Sequence, residues 1–179
     1  MDSLFENHYT HTKQYYKEFY AYFFFKRPLF VIINVILVLY FLCGILSLIF
    51  PYYVGSEGLT ALQIFLPLLV WLILLIRYIR TVNIRYKQDL ELNGGQPLEV
   101  RLVVTEDGID VCKVGSEGKN HLDFAKIKKT MRTKNYYILM TAAKLCCTFK
   151  TDGFAKGDLQ GLLVFLRTKG IQVKGAKRA

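Results

Sequence analysis

The sequence predicts a membrane protein of the α+β class, in which a two-helix transmembrane hairpin is followed by a bent antiparallel β-sheet, or partial barrel, capped by a C-terminal helix. Three observations predict this fold. Two apolar runs, residues 28–50 and 59–76, contain no Asp, Glu, Lys or Arg. Short segments in which apolar residues alternate with polar ones follow these runs, as expected for half-buried strands. Near the end of the chain, Leu159, Leu162, Leu163 and Leu166 have helical spacing.

The two apolar runs have the length of membrane spans. At a rise of 1.5 Å per residue they reach roughly 34 Å and 27 Å, close to the hydrocarbon thickness of about 30 Å. A soluble helix needs a polar face, which neither run has, and the rest of the chain is too short to wrap two such helices. We therefore expect a hairpin over residues 28–76, with an external loop at 51–58.

Basic residues predict how this hairpin is oriented. They lie on the outer flanks of the two runs, whereas the loop between the runs has no Lys or Arg, and basic residues near span ends favour the cytoplasm. The flanking residues are Lys13, Lys17, Lys26 and Arg27 before the first run and Arg77, Arg80, Arg85 and Lys87 after the second. The sequence thus predicts a multi-pass protein of the cell membrane with both termini in the cytoplasm.

Two cytoplasmic segments adjoin the hairpin. Residues 1–27 are rich in aromatic residues, which favour the headgroup zone, so we expect an N-terminal interfacial segment in which residues 10–27 form a helix. Residues 77–97 form a connector. Arg77–Leu92 has both helical and strand-like spacing; a helix is favoured because no breaker separates it from the second run, and Asn93–Pro97 then ends it.

Residues 98–171 are predicted to form the cytoplasmic domain, and residues 172–179 a loose tail. The helix at Gly157–Lys169 has Asp158 near its start and Gly170 after its end, as helix caps prefer. Six predicted strands come before it: Leu98–Thr105, Ile109–Val114, His121–Phe124, Ala125–Thr133, Tyr136–Ala142 and Lys144–Lys150.

Three stretches of this domain carry a family resemblance. They are VRLVVTEDGIDVCK, HLDFAKIKKTMRTKNYYILM and FKTDGFAKGDLQGLLVFLRTKG. Together with the two apolar runs, the chain over about residues 15–171 resembles the YcxB-like protein family. The resemblance implies two membrane spans and a cytoplasmic domain similar to the pleckstrin-homology fold, with about seven strands and one helix. It implies no activity for any residue.

The charge distribution suggests a lipid-binding surface. Residues 77–179 carry 20 Lys and Arg against 10 Asp and Glu, whereas the first 76 residues balance at four each. On a strand, Lys126, Lys128, Thr130, Arg132 and Lys134 would line one face, with Ile127 and Met131 on the other. Lys126, Lys128, Arg132 and Lys134 would then face anionic lipids of the inner leaflet, at about 1 kcal/mol each. The alternative is a solvated face that protects a sheet edge from aggregation.

Catalysis, metal binding and nucleic-acid binding are not expected. His8 and His11 are spaced as HxxH but lack further ligands, and three histidines offer no nucleophile–base arrangement. No cofactor is predicted. The basic residues already serve topology, and no aromatic pattern indicates stacking on nucleic-acid bases. Cys146 and Cys147 should point to opposite faces of a strand.

Two functions remain open from the sequence. The first is a membrane-anchored cytoplasmic interaction module that binds protein segments or anionic lipid headgroups without catalysis. The second is an accessory subunit whose spans pack against a larger membrane transporter or enzyme, or against a second copy of the chain. Polar and small residues mediate such packing, and the candidates for this contact are Asn34, Tyr40, Cys43 and Gly44.

Overall fold

The computed structural model describes residues 3–26, 28–50, 57–115, 118–143 and 145–173. Two compact units are present: Phe19–Arg85, here called the helical unit, and Met1–Glu18 together with Tyr86–Ala179, here called the sheet domain. The described elements are, in chain order, β1 (Phe5–Thr10), α1 (Lys13–Phe25), α2 (Pro28–Ile49), α3 (Glu57–Leu92), β2 (Glu99–Val104), β3 (Gly108–Lys113), β4 (Lys119–Asp123), a 3-10 helix (Phe124–Lys126), β5 (Ile127–Arg132), β6 (Tyr136–Thr141), β7 (Cys146–Lys150), β8 (Phe154–Lys156) and α4 (Leu159–Thr168).

The helical unit contains α2 and most of α3, which pack side by side and antiparallel. At one level Asn34 accepts a hydrogen bond from the Trp71 indole, and at another Gly44 packs against Gln63 and Ile64. Both helices are long and apolar enough to cross a membrane. The predicted first run matches α2 and the predicted second run lies within α3, while loop residues 51–56 fall outside the described residues.

The helix α3 is longer than a membrane span requires. It continues without a break to Leu92, so the helical alternative for residues 77–92 is confirmed and the strand alternative is wrong. The amides of Asn93 and Gly95 both donate to the Leu90 carbonyl, and Gly95 has a φ of 83°. This glycine-assisted ending is where the sequence predicts the helix to stop.

Two antiparallel sheets build the sheet domain. Their strand orders are β4-β3-β2-β1-β8 and β5-β6-β7. The prediction of an antiparallel sheet structure followed by a C-terminal helix is confirmed, with eight strands among the described residues in place of six. The two additional strands are β1 and β8.

β1 is the largest difference from the sequence analysis. Its six residues pair with β2 from Phe5↔Val104 to Thr10↔Glu99, and its other edge pairs with β8 at Glu6 and Asn7. Residues 5–10 are therefore an internal strand of the sheet domain, not part of an interfacial segment outside it. The predicted domain boundary at residue 98 is corrected accordingly, because a strand from the beginning of the chain completes the sheet.

α4 covers the core through its leucines. Leu162, Leu163 and Leu166 have at most 1% of their surface exposed. The predicted caps are confirmed: the Asp158 carboxylate accepts a hydrogen bond from the Gly161 amide at 2.8 Å, and Gly170 has a φ of 77°. Burying three leucines contributes about 5 kcal/mol or more to folding, so α4 is an integral part of the domain.

Candidate functional site

One buried amide joins the two sheets. Asn7 on β1 is fully buried; its Nδ2 donates to the Lys150 carbonyl at 2.8 Å, and its Oδ1 accepts from the Lys150 amide at 3.0 Å. The side chain thus makes the two bonds that a neighbouring strand would make. Next to it, the His8 amide donates to the Gly153 carbonyl at 2.7 Å, and a Cβ on Gly153 would lie 2.3 Å from the His8 oxygen. Only glycine allows this close approach.

A groove of about 650 Å³ lies beside this bridge, entirely within the sheet domain. Tyr9 of β1 and Tyr136 of β6 line it, with ring centroids 6.2 Å apart. Lys150 reaches its rim, where the Lys150 Nζ is 3.2 Å from an Asp152 carboxylate oxygen. Glu99, the first residue of β2, also lines the groove and is exposed. The groove therefore combines two tyrosines with a polar rim on which Lys150 is paired with Asp152, whereas the Glu99 carboxylate has no partner among the described residues.

Glu18 fixes the turn between β5 and β6. Its carboxylate accepts hydrogen bonds from the Thr133 hydroxyl at 3.1 Å and from the Asn135 amide at 3.0 Å, and also from the Asn135 side chain. Burial raises the pKa of Glu18, but these hydrogen bonds and one from Gln14 outweigh it, so the pKa is below its usual value of 4.5. The role of Glu18 could not be found from the sequence because its partners in this turn are more than 100 positions away.

A second polar cluster connects residues 11–16 to the end of α3. His11 Nδ1 lies 3.0 Å from an Asp89 carboxylate oxygen and 3.1 Å from the Tyr16 hydroxyl, which also donates to Asp89. The His11 ring stacks on Tyr15 with centroids 4.4 Å apart. Burial lowers the pKa of His11 below 6.5, and the Asp89 carboxylate counteracts only part of this effect. The cluster holds the neutral imidazole in place within the sheet domain.

This cluster predicts a loss of stability in mild acid. Because the pKa of His11 is lower in the folded than in the unfolded state, its stabilising contribution is complete above pH 6.5 and is lost as the pH falls below it. We expect the urea midpoint to fall between pH 7.5 and 5.5, with a His11 contribution of at most about 1.4 kcal/mol per pH unit. His11→Gln should flatten this dependence. The exposed neighbour change His8→Gln should leave it as in the wild type, and an equal effect of both changes would contradict the assignment.

The predicted basic row does not form one uninterrupted face. Lys126 lies in the 3-10 helix before β5, and the register of β5 shifts between Ile127 and Lys129. Thr130, expected on the exposed face, is 1% exposed and donates to the Gln172 carbonyl at 2.8 Å. That part of the prediction is wrong because the bulge and the segment after α4 break the simple alternation. The four basic residues Lys126, Lys128, Arg132 and Lys134 are nevertheless all exposed, and Ile127 and Met131, predicted to lie on the other face, are buried.

Of the four predicted intramembrane contact residues, Gly44 and Asn34 make contacts within the helical unit. A Cβ on Gly44 would lie 2.9 Å from both Gln63 and Ile64, so a larger residue would separate the helices. Asn34 donates to the Phe30 carbonyl at 2.8 Å and accepts from Trp71 at 3.1 Å. Cys43 is exposed and Tyr40 is half-buried.

The remaining chemistry-bearing residues do not converge. Within the described ranges no group of three or more His, Cys, Asp and Glu residues could hold a metal ion. His8 is exposed on β1, whereas His11 is bound into the cluster with Asp89. Cys146 is exposed and Cys147 is 3% exposed, which confirms that they point to opposite faces of β7.

Comparison with known proteins adds no relative. No protein-family model matches the chain, and no curated protein and no solved structure is significantly similar to it. The resemblance to the YcxB-like family therefore has no support beyond the stretches that suggested it.

Proposed function

We propose that the chain is a membrane-anchored interaction module. In this proposal α2 and the first part of α3 cross the cell membrane as a hairpin and hold the sheet domain at the cytoplasmic face. There the domain binds protein segments or anionic lipid headgroups, without catalysis. The observation that carries the proposal is the pairing of β1 with β2, since these strands come respectively before and after the two apolar helices and must lie on the same side of any membrane.

The exposure of the helical unit supports a membrane setting. Large apolar side chains along both helices are open to the surroundings, among them Leu29 at 69% and Phe65 at 68%. Soluble proteins rarely expose contiguous apolar patches beyond a few hundred Å². Acyl chains would cover this surface, while the polar side chains Asn34 and Ser47 already have partners within the unit.

Lipid headgroups are one of the two proposed ligand classes. The exposed Lys128, Arg132 and Lys134 lie on β5 and on the turn that follows it. That turn is bonded to Glu18, ten residues before Pro28 in the chain. A short tether makes contact with the bilayer effectively intramolecular, and each basic residue near an anionic leaflet contributes about 1 kcal/mol.

The proposal extends to the type of domain. The YcxB-like family implies a domain similar to the pleckstrin-homology fold, with about seven strands and one C-terminal helix. Two antiparallel sheets followed by the single helix α4 support this assignment, and domains of this kind serve as binding modules rather than enzymes.

Side-specific labelling tests the anchoring. Two single-cysteine variants are made in a background whose only other cysteine is the buried Cys147. Ala155→Cys places an exposed thiol on β8, and Ser56→Cys places a thiol in the predicted external loop. A membrane-impermeant maleimide should label residue 155 only in inverted vesicles and residue 56 only in right-side-out vesicles. The opposite pattern would overturn the orientation, and labelling of both residues from one side would overturn the hairpin.

The second candidate is an accessory subunit that packs by its spans. The exposed Cys43 and the half-buried Tyr40 favour it, because neither side chain forms a hydrogen bond with the described residues of the helical unit. Purification in gentle detergent followed by native mass spectrometry separates the two functions. A monomer with bound anionic lipid supports the module, whereas a stoichiometric larger membrane protein or a second copy supports the subunit.

A further inference from the structure

One edge of β1 is incomplete. The His11 amide donates to the Leu98 carbonyl of the segment before β2. In an antiparallel ladder, the backbone amides and carbonyls of successive residues point alternately to the two edges of a strand. The amides and carbonyls of the even-numbered residues of β1 therefore point away from β2. On that edge β8 pairs only with Glu6 and Asn7, and the His8 amide donates a hydrogen bond to the Gly153 carbonyl. The next amide in the row, that of Thr10, faces the groove and has no partner among the described residues.

The surroundings of this amide suit an extended chain. Lys150, whose backbone is bonded to the Asn7 side chain, lines the groove together with Tyr9 and Tyr136. Its volume of about 650 Å³ lies within the range of ligand sites, about 300–1,000 Å³. The Thr10 carbonyl already accepts from the Thr12 amide at 2.8 Å, so the Thr10 amide is the backbone group that could bond to an added chain, as edge amides do in peptide recognition at sheet edges.

The charges select the kind of peptide. Glu99, which pairs directly with Thr10, carries an exposed carboxylate with no partner in the described part of the chain. The groove is also lined by two basic residues, the exposed His8 and Lys150. The Lys150 Nζ is 3.2 Å from an Asp152 carboxylate oxygen and is therefore already paired. An anion such as a phosphate would therefore meet an uncompensated carboxylate, whereas a cationic side chain would pair with it.

We propose that the groove binds an extended peptide segment of another protein, with a backbone carbonyl of the peptide accepting from the Thr10 amide and a Lys or Arg side chain beside Glu99. An apolar or aromatic side chain of the same segment lies over Tyr9 and Tyr136. This inference rests on the proposed function and specifies the partner of the interaction module as a peptide, bound along β1 and separate from the basic residues of β5.

The test uses the full-length protein in detergent and a displayed library of random heptapeptides. Selection should enrich peptides that contain Lys or Arg together with an apolar or aromatic residue. The affinity of the best peptide, labelled with a fluorophore, is then measured by anisotropy for wild type, Thr10→Pro and Thr10→Val. Proline removes the amide hydrogen that faces the groove and leaves the bonds to β2 intact, while valine keeps the amide and a similar shape.

We expect Thr10→Pro to weaken binding about fivefold, since one hydrogen bond contributes about 1 kcal/mol, and Thr10→Val to bind within about twofold of wild type. Glu99→Gln should weaken binding and reduce its salt dependence. If Thr10→Pro impairs folding, hydrogen exchange of the Thr10 amide in the wild type replaces it, and the amide should be protected when the peptide is added.

Enrichment of acidic peptides, no enrichment at all, or equal affinity of wild type and folded Thr10→Pro would overturn the inference. So would unchanged exchange at Thr10. The labelling pattern of residues 155 and 56 reports on anchoring independently of peptide affinity, so failure of the groove and failure of the proposed function are distinguishable.

Discussion

A chain in which residues 19–85 are replaced by about eight Gly and Ser residues is expected to fold and to remain monomeric in detergent-free buffer. The replacement removes the helical unit and keeps the whole sheet domain. The two junctions are close, because the rings of Tyr16 and Tyr86, near the cut ends, have centroids 6.1 Å apart. A flexible linker of this length spans roughly 16 Å. Size-exclusion chromatography and protection of the Cys147 thiol from maleimide measure the outcome.

The matched control is the fragment that begins at Tyr86 and lacks β1. We expect it to aggregate or to leave Cys147 accessible, because the apolar strand β2 loses a neighbour along six residues. The buried ring of Tyr9 and the amide of Asn7 are lost with that strand. A fragment as soluble and as well protected as the linked chain would show that β1 is dispensable, and would remove the main support for placing both ends of the hairpin on one side of a membrane.

Elements with a strong local pattern could be predicted from the sequence. The two long apolar helices needed only the absence of charge over some twenty residues, and α4 needed its leucine spacing, Asp158 and Gly170. The strands β2 to β7 were located to within a few residues because turn residues separate their alternating patterns. Each of these patterns is complete within one short window of the chain.

β1 could not be predicted in this way because its inward-facing residues do not look like a core. The buried positions of this strand include Asn7, whose partner Lys150 is 143 positions away. A polar residue breaks the apolar alternation, and only the folded structure shows that a backbone amide and carbonyl satisfy it. The same reasoning applies to Glu18 and Asp89: each is an ordinary charged residue in the sequence, and its role depends on a distant partner.

The candidate site was missed for a related reason. Its main feature, the Thr10 amide, is a backbone group that every residue but proline possesses, so no side-chain pattern indicates it. The Thr10 amide differs from other strand amides because β8 pairs only with Glu6 and Asn7 and does not extend along β1 as far as Thr10. The basic row, in contrast, was conspicuous in the sequence, yet a one-residue bulge changed which of its members share a face. Features that depend on register therefore need the structure, whereas features that depend on composition do not.

Asn7→Ala is expected to lower the free energy of unfolding of the sheet domain by about 3 kcal/mol, because it leaves the Lys150 amide and carbonyl without their partner. That is a large part of the 5–15 kcal/mol that stabilises a typical domain. Maleimide labelling of Cys147 in increasing urea measures it, in a background of Cys43→Ser, Cys112→Ser and Cys146→Ser. Burial raises the pKa of Cys147, so labelling requires the strand to open.

The change His8→Ala on the same strand serves as the control and should shift the free energy by less than about 0.5 kcal/mol, since His8 is exposed. If Asn7→Ala were equally mild, the amide would be replaceable by water and the two sheets would be held together by packing alone. The large effect is expected because Asn7 is fully buried, and water cannot reach both atoms of Lys150 without first separating β1 from β7. The stability of the domain then depends on a bond between a residue that precedes the two apolar helices and one that follows them, so this bond can form only after both helices have been synthesised.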